Sequence, residues 1–117
     1  MAIARTDIGR ANRVRLDVPV HLHEGGASRL GVAKNVGSGG LFVATMRTLE
    51  VGSRVIVRLE LPGDGAPVAA LAEVRWYRPF AELNGLPVGV GLRFVDTPLR
   101  AAIFVNELRR SRETDAA

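Results

Sequence analysis

The sequence predicts a mainly β fold, a six-stranded antiparallel barrel with one C-terminal α-helix, and three observations carry that expectation. Apolar residues take every second position over residues 13–23 and again over 54–61, the period of a strand with one buried face. Six short apolar runs are separated by glycine, proline and asparagine turn signals, as in a small all-β barrel. The last run leads into Thr97-Pro98, an N-cap residue followed by proline at the first helical position.

Residues 1–12 show neither helical nor strand periodicity and are expected to form a flexible, arginine-rich arm. In the first strand, Val14, Leu16, Val18, Val20 and Leu22 face one side, and Arg13, Arg15, Asp17, Pro19, His21 and His23 the other. Proline lacks the ladder donor, so Pro19 implies that this strand runs partly along an edge. Glu24-Gly25-Gly26 is a turn, and residues 29–36 form a second strand that enters a cluster of Gly37, Gly39 and Gly40. Glycines let the chain turn sharply or approach a ligand, and Asn35 and Ser38 add hydrogen-bonding side chains there. The cluster reads either as a hairpin that closes the barrel or as the rim of a small-ligand pocket.

Residues 41–45 form a third strand and residues 54–61 a fourth, closed by Pro62-Gly63-Asp64-Gly65. The fifth covers 68–78 with Trp76 near its end, expected as a core or hairpin aromatic. After a loop over 79–87, the sixth covers 88–95, with Val88, Val90, Leu92 and Phe94 opposite Gly89, Gly91 and Arg93. The helix is expected to end near Arg110, leaving residues 111–117 as a frayed tail, so the barrel and helix together span 13–110. Its apolar stripe, which includes Leu99 and Ile103, is wider than one sheet needs, and the spare face can meet a partner.

At 117 residues, with 47% hydrophobic and 24% charged residues, the chain is one globular domain rather than a disordered segment. It has no cysteine, which excludes disulfides, thiolate zinc sites and cysteine nucleophiles. No apolar run suits a signal peptide or a membrane span, so a cytoplasmic location without membrane insertion is expected. The formal net charge is +4, and Lys34 is the only lysine among sixteen basic residues. Arg5, Arg10, Arg13 and Arg15 cluster near the start against Asp7 alone, and arginine's planar fork suits phosphates and bases.

No constellation points to catalysis. There is no serine nucleophile elbow, no His-Glu-x-x-His and no carboxylate pair spaced for acid and base roles, so the chain is not expected to be an enzyme. His21 and His23 project from one strand face without a third ligand at metal-site spacing, and no metal or other cofactor is expected. The glycine cluster lacks the Walker lysine and leads into a strand, so it is not a nucleotide loop of that kind.

Taken together, the landmarks resemble the PilZ domain, the family of bacterial receptors for the second messenger cyclic di-GMP. An arginine-rich segment leads into Arg13-Val14-Arg15-Leu16-Asp17-Val18-Pro19-Val20. A motif of Asp or Asn, any residue, Ser, two residues and Gly aligns with residues 35–40. Val74-Arg75-Trp76 comes later, and Gly89-Val90-Gly91-Leu92-Arg93-Phe94 resembles the family's last strand before its helix. The resemblance implies a PilZ-type barrel, with two arginines four positions apart clamping phosphate and guanine, and with the second motif holding a guanine edge.

Both motifs are displaced here. Arg13 matches the second arginine, but Gly9 stands where the first belongs and Arg10 lies three before. Asn35 and Gly40 match the second motif, but Gly37 takes the serine position and Ser38 is shifted by one. Losing a charge-assisted contact and a hydroxyl bond costs roughly 3 to 5 kcal/mol, or about two to four powers of ten in affinity. The implied function is a signalling adaptor in cyclic di-GMP pathways, regulating motility, pili or exopolysaccharide through a protein partner, with dinucleotide binding weakened or lost. In a functional receptor, the alternative, Arg10, Arg13, Asn35, Ser38 and Gly40 would hold the ligand. A second alternative is a small basic barrel for single-stranded nucleic acid, disfavoured by an aromatic content of 5% and by the expectation that no strand carries a stacking platform on its polar face.

Overall fold

Alternating burial along the strands produces the barrel. In the computed structural model, which describes residues 13–46, 49–59, 67–79 and 87–116 (side chains as far as Ser111), the first strand, β1 (Val14–Glu24), buries Leu16, Val18, Val20 and Leu22. Strands β2 (Ala27–Val36), β3 (Gly40–Ala44), β4 (Arg54–Leu59), β5 (Val68–Arg78) and β6 (Gly89–Phe94) complete a closed barrel in the order β1-β2-β3-β6-β5-β4. Every neighbouring pair is antiparallel. The expected arm over residues 1–12 lies outside the described residues.

Local chemistry sets the turns and the ends. Gly25 and Gly26 both have positive φ, 56° and 83°, and close the β1–β2 hairpin in the conformation that two-residue loops favour. The N-terminal half of β1 pairs with β2, whereas its pairing with β4 is confined to His21, His23 and Leu22 between them. Pro19 therefore sits in the half that needs no second ladder, which agrees with the partial edge read from the sequence. The β2 strand begins at Ala27, two residues before its expected start, because the tight turn lets Glu24 and Ala27 pair.

Helix α1 (Pro98–Ala116) begins where Thr97-Pro98 predicts. The Arg100 amide donates to Thr97 Oγ1 at 3.3 Å, and Asp96 accepts from the Leu71 and Thr97 amides at 3.0 and 2.9 Å, tying the helix entry to β5. The helix extends six residues beyond the expected end at Arg110, into the segment read as a tail. No glycine or proline comes after Arg110, so nothing in the local sequence stops it. Helix α1 packs on β5 and β1, and Phe104, Val105 and Leu108 join the barrel core beside Leu16, Val18 and Val74. Burying the Phe104 ring contributes about 1.5 to 3 kcal/mol. Leu99 and Ile103 remain on the outer side, 71% and 46% exposed, which is the spare face expected from the stripe.

Among the described residues the register shifts at three places, between Arg15 and Val18, between Ala33 and Asn35 and between Val74 and Trp76, and the last two shape the outer wall. Between Ala33 and Asn35 the β2–β3 register shifts at Lys34, so Ala33 and Val36 both point into the core while Asn35 lies opposite Phe42. Between Val74 and Trp76 the β5–β6 register shifts at Arg75, so Val74 and Tyr77 face the core while Trp76 turns outward. A bulge supplies one extra residue and reverses which face the next side chains take.

Candidate functional site

Those two bulges place one row of residues across the outer wall, with Asn35 paired to Phe42, Phe42 to Gly91 and Gly91 to Trp76. Gly91 has to be glycine for this row to exist. A Cβ there would overlap Cε2 and Nε1 of Trp76, so the bare backbone forms a trench in which the indole lies. Trp76 stacks on Phe42 with centroids 5.4 Å apart and planes 17° apart, and the Arg78 guanidinium carbon stands 5.1 Å from the Trp76 centroid and 5.2 Å from that of Phe42. Phe42 is buried beneath this arrangement, whereas Trp76 stays 44% exposed. Of the two places expected for Trp76, core or hairpin, the core is excluded, and the expectation that no strand's polar face presents a stacking platform is corrected. The residue count from Val74 places Trp76 inside only if the strand is regular, and the Arg75 bulge reverses it.

Beside the stack lies an open groove of about 540 Å³, within the size range of small-molecule sites. Its walls include Arg13, Ser38, Gly40, Arg75, Trp76 and Arg93. Of the residues singled out from the sequence, Arg13, Gly37, Ser38 and Gly40 line this groove. Asn35 supports it from behind, because Arg13 Nη1 donates to Asn35 Oδ1 at 2.7 Å. Gly9 and Arg10 lie outside the described residues.

The glycine cluster forms the β2–β3 turn at the groove's edge. The Gly37 amide donates to the Gly40 carbonyl at 2.9 Å, and the Phe94 amide donates to the Gly39 carbonyl at 2.9 Å, so the turn is bonded to the neighbouring strand. A Cβ at Gly40 would overlap the Leu92 carbonyl oxygen, which leaves room for no other residue. At Gly37 a Cβ would stand 3.2 Å from Arg13 Cγ, so the motif's serine position adjoins the stem of Arg13. Ser38 is exposed one step along. The barrel thus brings Arg13 of the first motif and the turn of the second to one place.

Arg75 and Arg93 lie in the two later landmarks of the resemblance, but neither is among the site residues that it implies. Their carboxylate partner is Glu73, with Arg75 Nη1 at 3.2 Å and Arg93 Nη2 at 3.5 Å from its Oε1. The hydrogen bond from Arg75 holds the Glu73 carboxyl below its ordinary range, with further help from the charges of Arg93, Arg75 and Arg54. Glu73 faces Arg93 on β6 and Arg54 on β4 in the ladder, which is why three cations converge on it. A cross-strand charge pattern of this kind becomes visible only when register is known.

His21 and His23 have ring centroids 6.3 Å apart. Among the described residues, no group of three or more His, Asp or Glu side chains is placed to hold a metal ion, and no helix there is long and apolar enough to cross a membrane.

Comparison with known proteins gives the family. The model of the PilZ domain matches residues 8–111. The fold is similar to that of the Bacillus subtilis inhibitor of motility MotI/DgrA, with a TM-score of 0.60 at 17% identity over 85% of this chain. The alignment covers 49% of MotI/DgrA, so this chain spans about half the length of that protein. The PilZ domain of CeSA from a cellulose-synthesizing bacterium matches with a TM-score of 0.57 at 20% identity, over 82% of this chain and 93% of that one. No protein of curated function matches the sequence. With its six-stranded barrel, its terminal helix and a family match over nearly its whole length, the chain belongs to the PilZ domain family.

Proposed function

We propose that this PilZ domain is a non-enzymatic cytoplasmic signalling adaptor that takes cyclic di-GMP into the Arg13 groove with weakened affinity. The observation that carries this reading is the meeting of Arg13, Asn35 and the glycine turn at one groove that also holds an exposed indole. The ligand class follows from chemistry: a guanidinium fork matches phosphate, an exposed indole offers a face to a purine, and the turn offers polar groups to a base edge. Weakening follows from Gly37, which brings no hydroxyl beside Arg13, and from Gly9, which brings no guanidinium.

The outer face of α1, with Leu99 and Ile103, supports a protein partner as the output. Control of motility, pili or exopolysaccharide is the class of output that family membership suggests, and the similarity to an inhibitor of motility points the same way. Calorimetric titration tests the reading: weak, saturable heat that disappears in Arg13→Ala supports it. Micromolar or tighter binding that disappears in the same variant would establish a full-strength receptor instead.

The exposed Trp76 beside several arginines favours single-stranded nucleic acid as a second reading. Oligonucleotide binding with a steep salt slope, tighter than dinucleotide binding, would select it.

A further inference from the structure

We propose that Arg75 and Arg93 form an anion subsite within the groove, and that Glu73 occupies those guanidiniums until a ligand phosphate displaces it. The subsite rests on the groove reading above and extends it to residues that neither motif contains. Both arginines line the groove that Arg13 lines, and both are more than half exposed, at 55% and 56% of their side chains. Their ion pairs with Glu73, at 3.2 and 3.5 Å, are therefore partly solvated contacts of the kind that contributes little to stability and exchanges readily. A phosphate offers several acceptor oxygens to two forked donors, whereas Glu73 meets both through the single oxygen Oε1.

The Glu73 side chain, 20% exposed, does not line the groove itself. It lies in the β4–β5–β6 ladder, level with Arg54 on one side and Arg93 on the other. Arg54 therefore remains as a counter-charge when Arg75 and Arg93 turn to a ligand, which lowers the cost of the exchange. The groove then holds a cationic pair on β5 and β6 in addition to Arg13 just before β1. A ligand with two phosphates can engage both, and in a chain with glycine at position 9 this pair supplies positive charge that the first motif lacks.

The test is calorimetry with two probes, cyclic di-GMP and inorganic pyrophosphate, on wild type, Glu73→Gln, Arg75→Ala/Arg93→Ala and the triple variant. Removing the competing carboxylate is expected to tighten both probes by about three- to tenfold, and removing both arginines to weaken them by about tenfold or more. In the triple variant the gain from Glu73→Gln should fall below about twofold, because the guanidiniums it releases are gone. Glu73→Asp keeps the charge but withdraws it from the arginines, and should tighten binding by less than Glu73→Gln, giving a second measurement should that variant fold poorly.

Unchanged affinity in Glu73→Gln, or a full gain that persists in the triple variant, would overturn the proposal. If pyrophosphate responds as expected while cyclic di-GMP binds none of the proteins, the subsite stands and the dinucleotide reading falls. If cyclic di-GMP binds through Arg13 but ignores all substitutions at 73, 75 and 93, the subsite falls and that reading stands.

Discussion

Gly91→Ala tests the outer wall at the point on which the rest of it depends. The added methyl group would overlap the indole of Trp76, and the neighbouring β6 backbone cannot retreat because β3 and β5 hold it on both sides. Trp76 is the part that yields. Leaving the trench forfeits its stack on Phe42, worth about 0.5 to 1.5 kcal/mol, and its share of the Arg78 contact, worth about 0.5 to 1 kcal/mol. Destabilisation of about 1 to 2.5 kcal/mol is expected, which at a urea slope of roughly 1 kcal/mol per molar lowers the unfolding midpoint by about 1 to 2.5 M. Trp76 is the chain's only tryptophan, so its emission reports the same event independently and should shift to longer wavelength as the ring becomes more exposed. A midpoint within about 0.3 M of wild type, with unchanged emission, would refute the claim that the indole lies on Gly91.

Phe104→Ala, at a fully buried position in the joint core of barrel and helix, should cost about 3 to 5 kcal/mol in urea unfolding. A cost below about 1 kcal/mol would mean that α1 does not dock through this ring. Asp96→Ala removes the acceptor for two backbone amides at the helix entry and should cost about 1 to 2 kcal/mol at neutral pH. The Leu71 and Thr97 amides hold this carboxyl below its ordinary pKa, so its contribution is complete above the unfolded value and is lost as pH falls through the folded one. The gap between wild type and Asp96→Ala should accordingly narrow below about pH 4, and a gap that widens there would contradict the assignment.

Much of the architecture is legible in the residues because it derives from local periodicity. Val18, Val20 and Leu22 in β1 and Val55 and Val57 in β4 take every second position and are buried as that pattern requires, while Pro19 and Ile56 between them face out. Thr97-Pro98 announces the helix, and Gly25-Gly26 the first hairpin. The bulges are not legible in the same way, since inserting one residue at Lys34 or Arg75 leaves composition unchanged and reverses the outlook of the side chains beyond it. Asn35 is found as part of the second motif and Trp76 as part of Val74-Arg75-Trp76, but the outward turn of Trp76 depends on a shift of register. Gly91 opposite a bulky ring was the available clue, but it identifies its partner only once β5 and β6 are aligned. The cations around Glu73 were hidden for the same reason, because Arg54, Glu73 and Arg93 come from three strands.

The most direct test of the weakened-receptor account is to titrate cyclic di-GMP calorimetrically into wild type and into Gly9→Arg/Gly37→Ser. The second variant restores a guanidinium four residues before Arg13 and a hydroxyl beside its stem. Recovery of the two lost contacts should raise affinity by about a hundred- to ten-thousand-fold, and adding Arg13→Ala should remove that gain. Equal affinities for the two proteins, or a gain that survives without Arg13, would contradict it.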